Sequence, residues 1–239
     1  MKILCIGNSF SEDATRYLEA IAASAGEELF VRNLYIGGCS LERHAQNIAS
    51  GEEAYAYQRN AESLHPISLA DALTREAWDV ITVQQVSGLS GVYESYFPYL
   101  PTLISFVREK APTAKLLFHR TWAYEKDAEI ERFVLRYEGK EEVMHNAILA
   151  VTDRVSAEYG LPIIPAGDAV HSAKALPAFD VRAGGISLHR DGFHLSLDYG
   201  RYLAGLVWFK YFTGRPADDV TYMPDGTDPA LITLLKSIV

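Results

Sequence analysis

Residues 1–11 read MKILCIGNSFS, and this stretch decides the fold. Its apolar part, Lys2–Ile6, ends at Gly7 and predicts a short buried strand. A helical pattern begins by about Asp13, so Ser9 stands where a strand turns into a helix. Open α/β sheets bind ligands at the carboxyl ends of their strands, and helix N–H groups there stabilise negative charge. Ser9 is therefore the leading candidate for a catalytic nucleophile.

Two other interpretations of this turn stay open. Serine at such a position most often caps the helix, and either Ser9 or Ser11 could have that role. Gly7 could instead open a phosphate-binding loop, although the patterns GxGxxG and GxxxxGK[ST] are both absent from this stretch. The turn alone does not distinguish these roles, and the evidence that favours the nucleophile comes from the carboxyl-terminal part of the chain.

The composition is that of a folded, acidic protein. Of the 239 residues, 49% are hydrophobic, and no linker or repeat divides the sequence, so we expect one domain over residues 1–239. The net charge of −9 argues against nucleic acid as a partner, because phosphates require a basic surface. Cys5 and Cys39 form no CxxC pair, so neither a disulfide framework nor a zinc site is predicted.

No stretch of the sequence predicts a membrane span or a signal peptide. A membrane-spanning helix needs a run of about 18 apolar residues, and no run approaches that length. The apolar run after Lys2 has about five residues, fewer than the ~7–15 in the central part of a signal peptide. We therefore expect a cytoplasmic protein without a membrane partner.

Strand and helix patterns alternate along the chain. Strands that alternate with helices predict a parallel sheet covered on both faces. The polar, tyrosine-rich stretch Gly51–His65 has no clear period and is interpreted as a surface excursion near the site, and His171–Arg190 as largely irregular. The five predicted strands are Lys2–Ile6, Leu29–Ile36, Asp79–Val83, Lys115–His119 and Leu161–Pro165. The predicted helices are Asp13–Ala25, Leu41–Ile48, Ile67–Ala77, Pro98–Lys110, Glu129–Tyr159 with a break at Gly139, Gly167–Ala175, Leu197–Phe212 and a short one within Pro216–Val239.

A second candidate motif lies just before the last long helix, where residues 190–196 read RDGFHLS. A carboxylate three residues before a histidine can reach its Nδ1, which leaves Nε2 free to act as a base, and Asp191 and His194 have this spacing. A serine nucleophile needs such a base, because its hydroxyl is weak at neutral pH. The alternative is a surface loop with a helix-capping Asp and an uninvolved His, since seven histidines make the pattern DxxH unexceptional.

Together the motifs resemble the SGNH (GDSL) hydrolase superfamily along essentially the whole chain. Within it, the sequence is similar to the uncharacterised SGNH-like family DUF4886. The matching segments are Gly7-Asn8-Ser9 for the first block, Gly38 for the second, Gln84 to Ser87 for the third, and Asp191 with His194 for the last, together with Thr121-Trp122-Ala123-Tyr124.

The resemblance implies a three-layer α/β/α, flavodoxin-like fold with a five-stranded parallel sheet and a Ser9–His194–Asp191 catalytic triad. It also implies an oxyanion hole formed by the N–H groups of Ser9 and Gly38 with a glutamine side chain as third donor. We assign this third role to Gln84, with Gln85 as runner-up, because Gln84 aligns with the glutamine of the Gln-Gly-Glu block of related acetylesterases.

Two departures from the superfamily pattern concern the oxyanion hole. Asn8 replaces the usual aspartate of the Gly-Asp-Ser block, and the Gly-x-Asn-Asp block is missing, so its asparagine donor has no identical counterpart. These departures put the oxyanion hole in doubt rather than the triad.

The resemblance implies a serine esterase without metal or cofactor that removes small acyl groups, acetyl above all, from a small molecule or an oligosaccharide. Trp122, Tyr124 and Tyr93 fall in loops at the same sheet edge, where aromatic faces suit sugar rings, although each is more often a packing residue. The alternative is a non-catalytic carbohydrate-binding module on an SGNH-like fold, because a fold does not by itself decide function.

Overall fold

A seven-stranded sheet runs through the protein in the computed structural model, which describes residues 1–126 and 128–239. The strand order is β4-β3-β2-β1-β5-β6-β7, and the five strands β2, β1, β5, β6 and β7 are parallel neighbours. The predicted class, an α/β fold with a mostly parallel sheet and flanking helices, is confirmed. The strands are β1 (Lys2–Gly7), β2 (Phe30–Tyr35), β3 (Tyr55–Arg59), β4 (Glu62–Ile67), β5 (Val80–Val83), β6 (Lys115–His119) and β7 (Ile163–Ile164).

Strand β1 lies at the centre of the sheet and divides the core into two layers. Successive side chains of a strand point to opposite faces, so Ile3 and Cys5 pack in one hydrophobic cluster while Leu4 and Ile6 pack in the other. All four side chains are buried. This burial on both faces explains why β1 reads as a continuous apolar run instead of an alternating one.

The predicted count of five strands is wrong, because the stretch interpreted as a surface excursion, Gly51–His65, forms most of an antiparallel hairpin of β3 and β4. Strand β3 pairs with β2 and with β4, so the hairpin extends the edge of the sheet beyond β2. Its two-residue turn, Asn60-Ala61, has both φ angles positive, at 51° and 63°, which matches the twist of tight hairpins. Alanine is an unusual residue there, so the turn carries no sequence signal of the Asn-Gly kind.

Ten helices cover the two faces of the sheet in the described residues. They are α1 (Ser9–Thr15), α2 (Leu18–Ser24), α3 (Leu41–Ser50), α4 (Leu69–Arg75), α5 (Tyr99–Lys110), α6 (Glu131–Tyr137), α7 (Glu141–Tyr159), α8 (Ala166–Lys174), α9 (Tyr199–Thr213) and α10 (Pro229–Ile238).

Two predicted helices are each divided in the structure. The break within Glu129–Tyr159 falls at Glu138 and Gly139, which both have left-handed φ angles, as the glycine predicted. The predicted helix Asp13–Ala25 is instead two helices, α1 and α2. Tyr17 at their junction is the N-cap of α2, and its hydroxyl donates to the Leu197 carbonyl.

Helix α9 fixes the position of the amino-terminal turn. Its residues Tyr199 to Phe209 are all buried, and it packs against α1, α2, α8 and α10. A helix that is apolar on every side needs neighbours on every side. Helix α1, which follows the Ser9 turn, is thereby held between β1 and α9.

Candidate active site

The turn after β1 leaves Ser9 without a capping role. Asn8 is the N-cap of α1: its Oδ1 accepts from the Phe10 N–H at 2.9 Å, and Ser11 Oγ accepts in return from the Asn8 N–H at 3.1 Å. Ser9 is the first residue of the helix, where a side chain is not needed for the cap. Gly7 makes this turn possible, because a Cβ there would lie 2.3 Å from Ser11 Oγ.

Ser9, His194 and Asp191 form one chain of hydrogen bonds across the molecule. Ser9 Oγ lies 2.8 Å from His194 Nε2, and His194 Nδ1 lies 2.6 Å from Asp191 Oδ2. Asp191 Oδ1 also accepts from the backbone N–H of His194 at 2.8 Å. With the carboxylate on Nδ1, the imidazole presents an unprotonated Nε2 to the serine hydroxyl, which is the arrangement that activates a serine.

Hydrogen bonds to Asp191 keep its carboxylate ionised. Its partial burial alone would raise its pKa, but hydrogen bonds from the His194 side chain, His194 N–H and Phe193 N–H outweigh that effect and lower the pKa below its usual value. An ionised carboxylate holds the imidazole in one orientation and stabilises the imidazolium that forms when the serine proton is taken up.

Two backbone N–H groups are available beside Ser9 to bind an oxyanion. Ser9 and Gly38 line the same cavity, and Gly38 has a φ of +62°, which favours glycine at the turn after β2. In residues 1–126 and 128–239, neither backbone N–H donates to a protein acceptor. Asn8 Nδ2 donates to the Cys39 carbonyl at 2.9 Å and so ties this turn to the Ser9 turn.

The sequence matches the family described as a domain of unknown function, DUF4886, over residues 2–236. The chain belongs to the DUF4886 family. A crystal structure of a DUF4886 family protein from Bacteroides uniformis is similar to it with a TM-score of 0.91 and 37% identity, covering 100% of this chain and 92% of that chain. Comparison with curated proteins gave no match.

More distant solved structures share the fold of this DUF4886 protein. A candidate SGNH hydrolase from Slackia heliotrinireducens has a TM-score of 0.57 and 23% identity, covering 89% of this chain and 98% of that chain. A candidate GDSL-like lipase from Parabacteroides merdae has a TM-score of 0.57 and 16% identity, covering 89% of this chain and 95% of that chain. At these identities the likeness extends to the fold alone.

The structure does not bring the predicted third oxyanion donor to the cavity. The Gln84 side chain is buried behind Asn8, where Nε2 donates to Asn8 Oδ1 at 2.9 Å and Oε1 accepts from His119 Nδ1 at 2.8 Å. Burial lowers the pKa of His119 to about 3, so this imidazole is neutral. The runner-up, Gln85, is also buried and joins the Leu41 N–H to Ser95.

The asparagine in place of the usual aspartate is explained by this network. Asn8 Oδ1 accepts from Phe10 and Gln84, while Nδ2 donates to the Cys39 carbonyl. A carboxylate could accept the first two hydrogen bonds but could not donate the third. Asn8 and Gln84 are therefore complementary amides in a buried, uncharged cluster beneath Ser9.

The three predicted sugar-binding aromatic residues do not line the cavity, which corrects that expectation. Trp122 and Tyr124 are completely buried, so neither has a face free for a sugar ring. The Trp122 ring stacks on Phe10 at 4.4 Å, and its Nε1 donates to the Phe193 carbonyl. The Tyr93 hydroxyl donates to Glu158, away from the cavity.

Sequence reasoning missed two buried acids that hold the loop carrying Asp191 and His194. Asp13 of α1, completely buried, accepts from the Leu195 N–H at 2.9 Å and pairs with Arg190 at 3.0 Å and Arg201 at 2.7 Å. It thus connects the helix that begins at Ser9 to the residue next to His194. No sequence signal distinguishes Asp13 in this role, because α1 reads SFSEDAT and also contains the acid Glu12.

The second missed acid is Glu125, in the loop after β6. Its backbone N–H donates to the Gly192 carbonyl at 2.7 Å, between Asp191 and His194. Its carboxylate accepts from Ser187 Oγ at 2.6 Å and lies 3.3 Å from His189 Nδ1. The loop that carries Asp191 and His194 is therefore held on both sides by carboxylates that belong to other parts of the chain.

A cavity of about 540 Å³ opens above the Ser9 hydroxyl. Besides Ser9 and His194, its wall includes apolar and charged side chains, namely Val86, Leu89, Glu12, Arg132 and Arg136. In the described residues, no group of three or more His, Cys, Asp or Glu side chains is arranged to hold a metal ion. Among those same residues, no helix combines the length and apolar character that crossing a membrane requires.

Proposed function

We propose that this DUF4886 protein is a serine esterase that hydrolyses small acyl esters, acetyl esters above all, on a carbohydrate. The observation that carries the proposal is the continuous chain of hydrogen bonds from Ser9 Oγ through His194 to Asp191. Each member has the contact that its role requires, and the chain ends in a cavity large enough for a small substrate.

The reaction follows from these contacts in two steps. Ser9 Oγ attacks the ester carbonyl while His194 Nε2 takes the hydroxyl proton, and the tetrahedral oxyanion is bound by the Ser9 and Gly38 N–H groups. His194 then gives the proton to the leaving alcohol, which departs and leaves an acyl-Ser9 ester. Water, deprotonated by the same imidazole, releases the acid and restores the serine.

The cavity wall supports a small acyl group rather than a long one. A fatty acyl chain needs a continuous apolar surface, but the wall around Ser9 mixes Val86 and Leu89 with Glu12 and Arg136. An acetyl group has only one methyl to cover, and the rest of the polar wall is then available to an alcohol with many hydroxyls. This composition supports a carbohydrate ester.

Covalent labelling tests the nucleophile directly. A fluorophosphonate probe is expected to modify Ser9, and Ser9→Ala is expected to abolish both labelling and acetate release from an acetylated sugar, with a loss in kcat on the order of 10⁶-fold. Ser87→Ala is the matched control, because Ser87 lies in the same cavity and donates to or accepts from Tyr124 but contacts no histidine. Labelling that persists in Ser9→Ala would contradict the assignment.

A carbohydrate-binding module is the second candidate, and one observation favours it. Neither Gln84 nor Gln85 offers a side-chain N–H to the cavity, so the oxyanion hole has two donors instead of three. Equal acetate release from the unaltered protein and Ser9→Ala, together with measurable binding of the acetylated sugar, would favour the binding module over the esterase.

A further inference from the structure

Two arginines of α6 face the cavity that contains Ser9. Arg132 and Arg136 are four residues apart, so they lie on the same side of the helix, and both line the cavity wall with His194. Helix α6 is fastened to the loop after β5 by Tyr137, whose hydroxyl donates to the Gly88 carbonyl and accepts from the Gly91 N–H, both at 3.2 Å. The two guanidinium groups are thus carried by an anchored helix.

The position of Arg132 is set by three neighbours, Tyr124, Phe193 and Gly88. Its Nε donates to the Tyr124 hydroxyl at 2.7 Å, and its guanidinium carbon lies 4.9 Å from the Phe193 ring centre and 5.3 Å from that of Tyr124. Gly88 leaves the room that the side chain occupies, because a Cβ there would lie 2.8 Å from Arg132 Cδ. Since Nε is used in this contact, the two terminal nitrogens of the guanidinium remain to bind a ligand.

In the part of the chain that the structure describes, these two charges have no carboxylate partner. In residues 1–126 and 128–239, no Asp or Glu oxygen lies within 4.0 Å of a nitrogen of Arg132 or Arg136. The other charged groups of the cavity are engaged: Glu12 accepts from Gln58 at 2.9 Å, and Arg190 pairs with Asp13. The Arg132 and Arg136 side chains are both exposed, so their guanidinium groups are accessible to a ligand.

From this arrangement we propose that the substrate carries an anionic group, a carboxylate or a phosphate, which Arg132 and Arg136 bind while the ester carbonyl lies at Ser9. The inference rests on the proposed esterase function and adds a specificity for acidic sugars. A guanidinium presents a planar pair of donors that matches both carboxylate and phosphate oxygens. The stacking of Arg132 on Phe193, next to His194, puts this charge beside the reacting groups.

The test uses two acetylated sugars that differ in one charge. Acetate release is measured from an acetylated methyl glucuronoside with a free carboxylate and from its carboxylate methyl ester. We expect Arg132→Gln and Arg136→Gln each to reduce kcat/KM for the charged sugar by about tenfold more than for the neutral one, mainly through KM. Arg108→Gln, on α5 and outside the cavity, is the control and should change both values equally.

Two further measurements extend this test. One shows which anionic group is preferred, and the other tests this inference independently of the esterase proposal. An acetylated sugar phosphate tested in parallel shows whether phosphate or carboxylate is preferred. Binding of glucuronate and its methyl ester to Ser9→Ala, measured by calorimetry, needs no turnover. If no sugar is hydrolysed, the esterase proposal fails, and this binding preference alone decides the inference. Equal binding or equal hydrolysis of charged and neutral sugars, or an unchanged preference in both arginine variants, would overturn it.

Discussion

The two halves of the candidate triad are held in place by different kinds of interaction. Ser9 sits above a buried cluster of uncharged amides, in which Asn8 bonds to Gln84 and to the Cys39 carbonyl. His194 lies in an irregular loop that is held by buried charges, with Asp13 on one side and Glu125 on the other.

The two supports differ in the elements that bring their members together. Asn8 follows β1 and Gln84 follows β5, and these strands are neighbours in the sheet, so the amides meet because the strands do. Glu125 instead lies 3.9 Å from Lys174 of α8, which pairs with Glu141 of α7 at 2.8 Å. That cluster depends on two helices and two loops being folded together.

The comparison indicates which half of the site is more sensitive to its surroundings. A hydrogen-bonded amide cluster carries no net charge, so pH and salt affect it little. A buried ion pair is costly to break, because the partner that remains is a charge without compensation. We therefore expect the geometry of the nucleophile to be robust and that of the acid–base pair to depend on distant carboxylates and on Lys174.

The largest expected effect is on kcat, and it differs between the two loop residues His194 and Asp191. His194→Ala is expected to lower kcat on the order of 10⁶-fold, because the serine loses its base, whereas Asp191→Asn is expected to cost less, about 10⁴-fold. Steady-state kinetics on an acetylated sugar measures both. The circular dichroism spectrum of each variant should be unchanged, which would show that the loss in kcat is not caused by unfolding.

Substitution of the other histidines tests whether His194 is the base. His119 bonds to Gln84, His189 to Glu125 and His171 to Glu141, whereas the histidine bonded to Ser9 Oγ in the described residues is His194. If His194→Ala kept near-normal turnover while substitution of one of these abolished it, the loop would have a structural role only.

A second prediction concerns Lys174, which pairs with Glu141 and lies near Glu125 but does not belong to the candidate triad. Lys174 is 1% exposed, and its Nζ also donates to the Tyr124 carbonyl at 3.1 Å. Lys174→Met leaves Glu141 and Glu125 buried without their cation, and we expect a loss of about 3–5 kcal/mol in the free energy of unfolding. Urea denaturation measures it, with Lys140→Met as control, because Lys140 pairs with Glu138 on the surface.

The same variant is expected to change the dependence of stability on pH. Burial alone would raise the pKa of Glu125, but the hydrogen bond from His189 and the charge of Lys174 lower it to about 2, and Glu141 is likewise lowered to about 2 by His171 and Lys174. Both lie below the value of about 4.3 in an unfolded chain.

These carboxylates therefore stabilise the fold fully above about pH 4.3, and the contribution is lost as the pH falls towards 2. In Lys174→Met the folded-state pKa of both carboxyls should move towards the unfolded value, so less stability should be lost between about pH 4.3 and about pH 2, which denaturation curves between these limits would show. Identical acid profiles for the two proteins would mean that Lys174 does not support the charged cluster.

The features that sequence reasoning could predict are those that neighbouring residues determine. The apolar run of β1, its glycine and the following helical pattern identified the Ser9 turn, and the spacing of Asp191 and His194 identified a pair that Ser9 then meets at 2.8 Å. Both are local patterns whose meeting point follows from the rule that ligands gather at the carboxyl ends of parallel strands.

The features that could not be predicted depend on contacts between distant residues. A turn of Asn60 and Ala61 is without the glycine that marks most tight hairpins, so β3 and β4 were not foreseen. Trp122 and Tyr124 are in the expected loop, but their burial depends on Phe10 and on α6. The direction of the Gln84 side chain is decided by Asn8 and His119, which no spacing along the chain reveals.

The smallest expected effect concerns the uncharged support, through Gln84→Ala. This substitution removes a donor to Asn8 Oδ1 and leaves the buried His119 Nδ1–H without its acceptor. An unsatisfied buried polar group costs about 1–3 kcal/mol, so the free energy of unfolding should fall by that amount. Because the Asn8 cap and its bond to Cys39 remain, the Ser9 turn keeps its shape, and kcat should fall by less than about tenfold, which is ~1.4 kcal/mol on the barrier.

The kinetics of this variant also decide how the oxyanion is bound. Loss of a true oxyanion donor costs about 100–1000-fold in kcat with little change in KM. Gln85→Ala is the matched comparison, since it removes the same buried amide at a position bonded to Leu41 and Ser95 rather than to Asn8. A kcat loss of that size in Gln84→Ala alone would mean that its side chain turns towards the oxyanion when substrate binds. A small loss in both variants would leave the Ser9 and Gly38 N–H groups as the donors and the two glutamines as supports of the backbone that carries them.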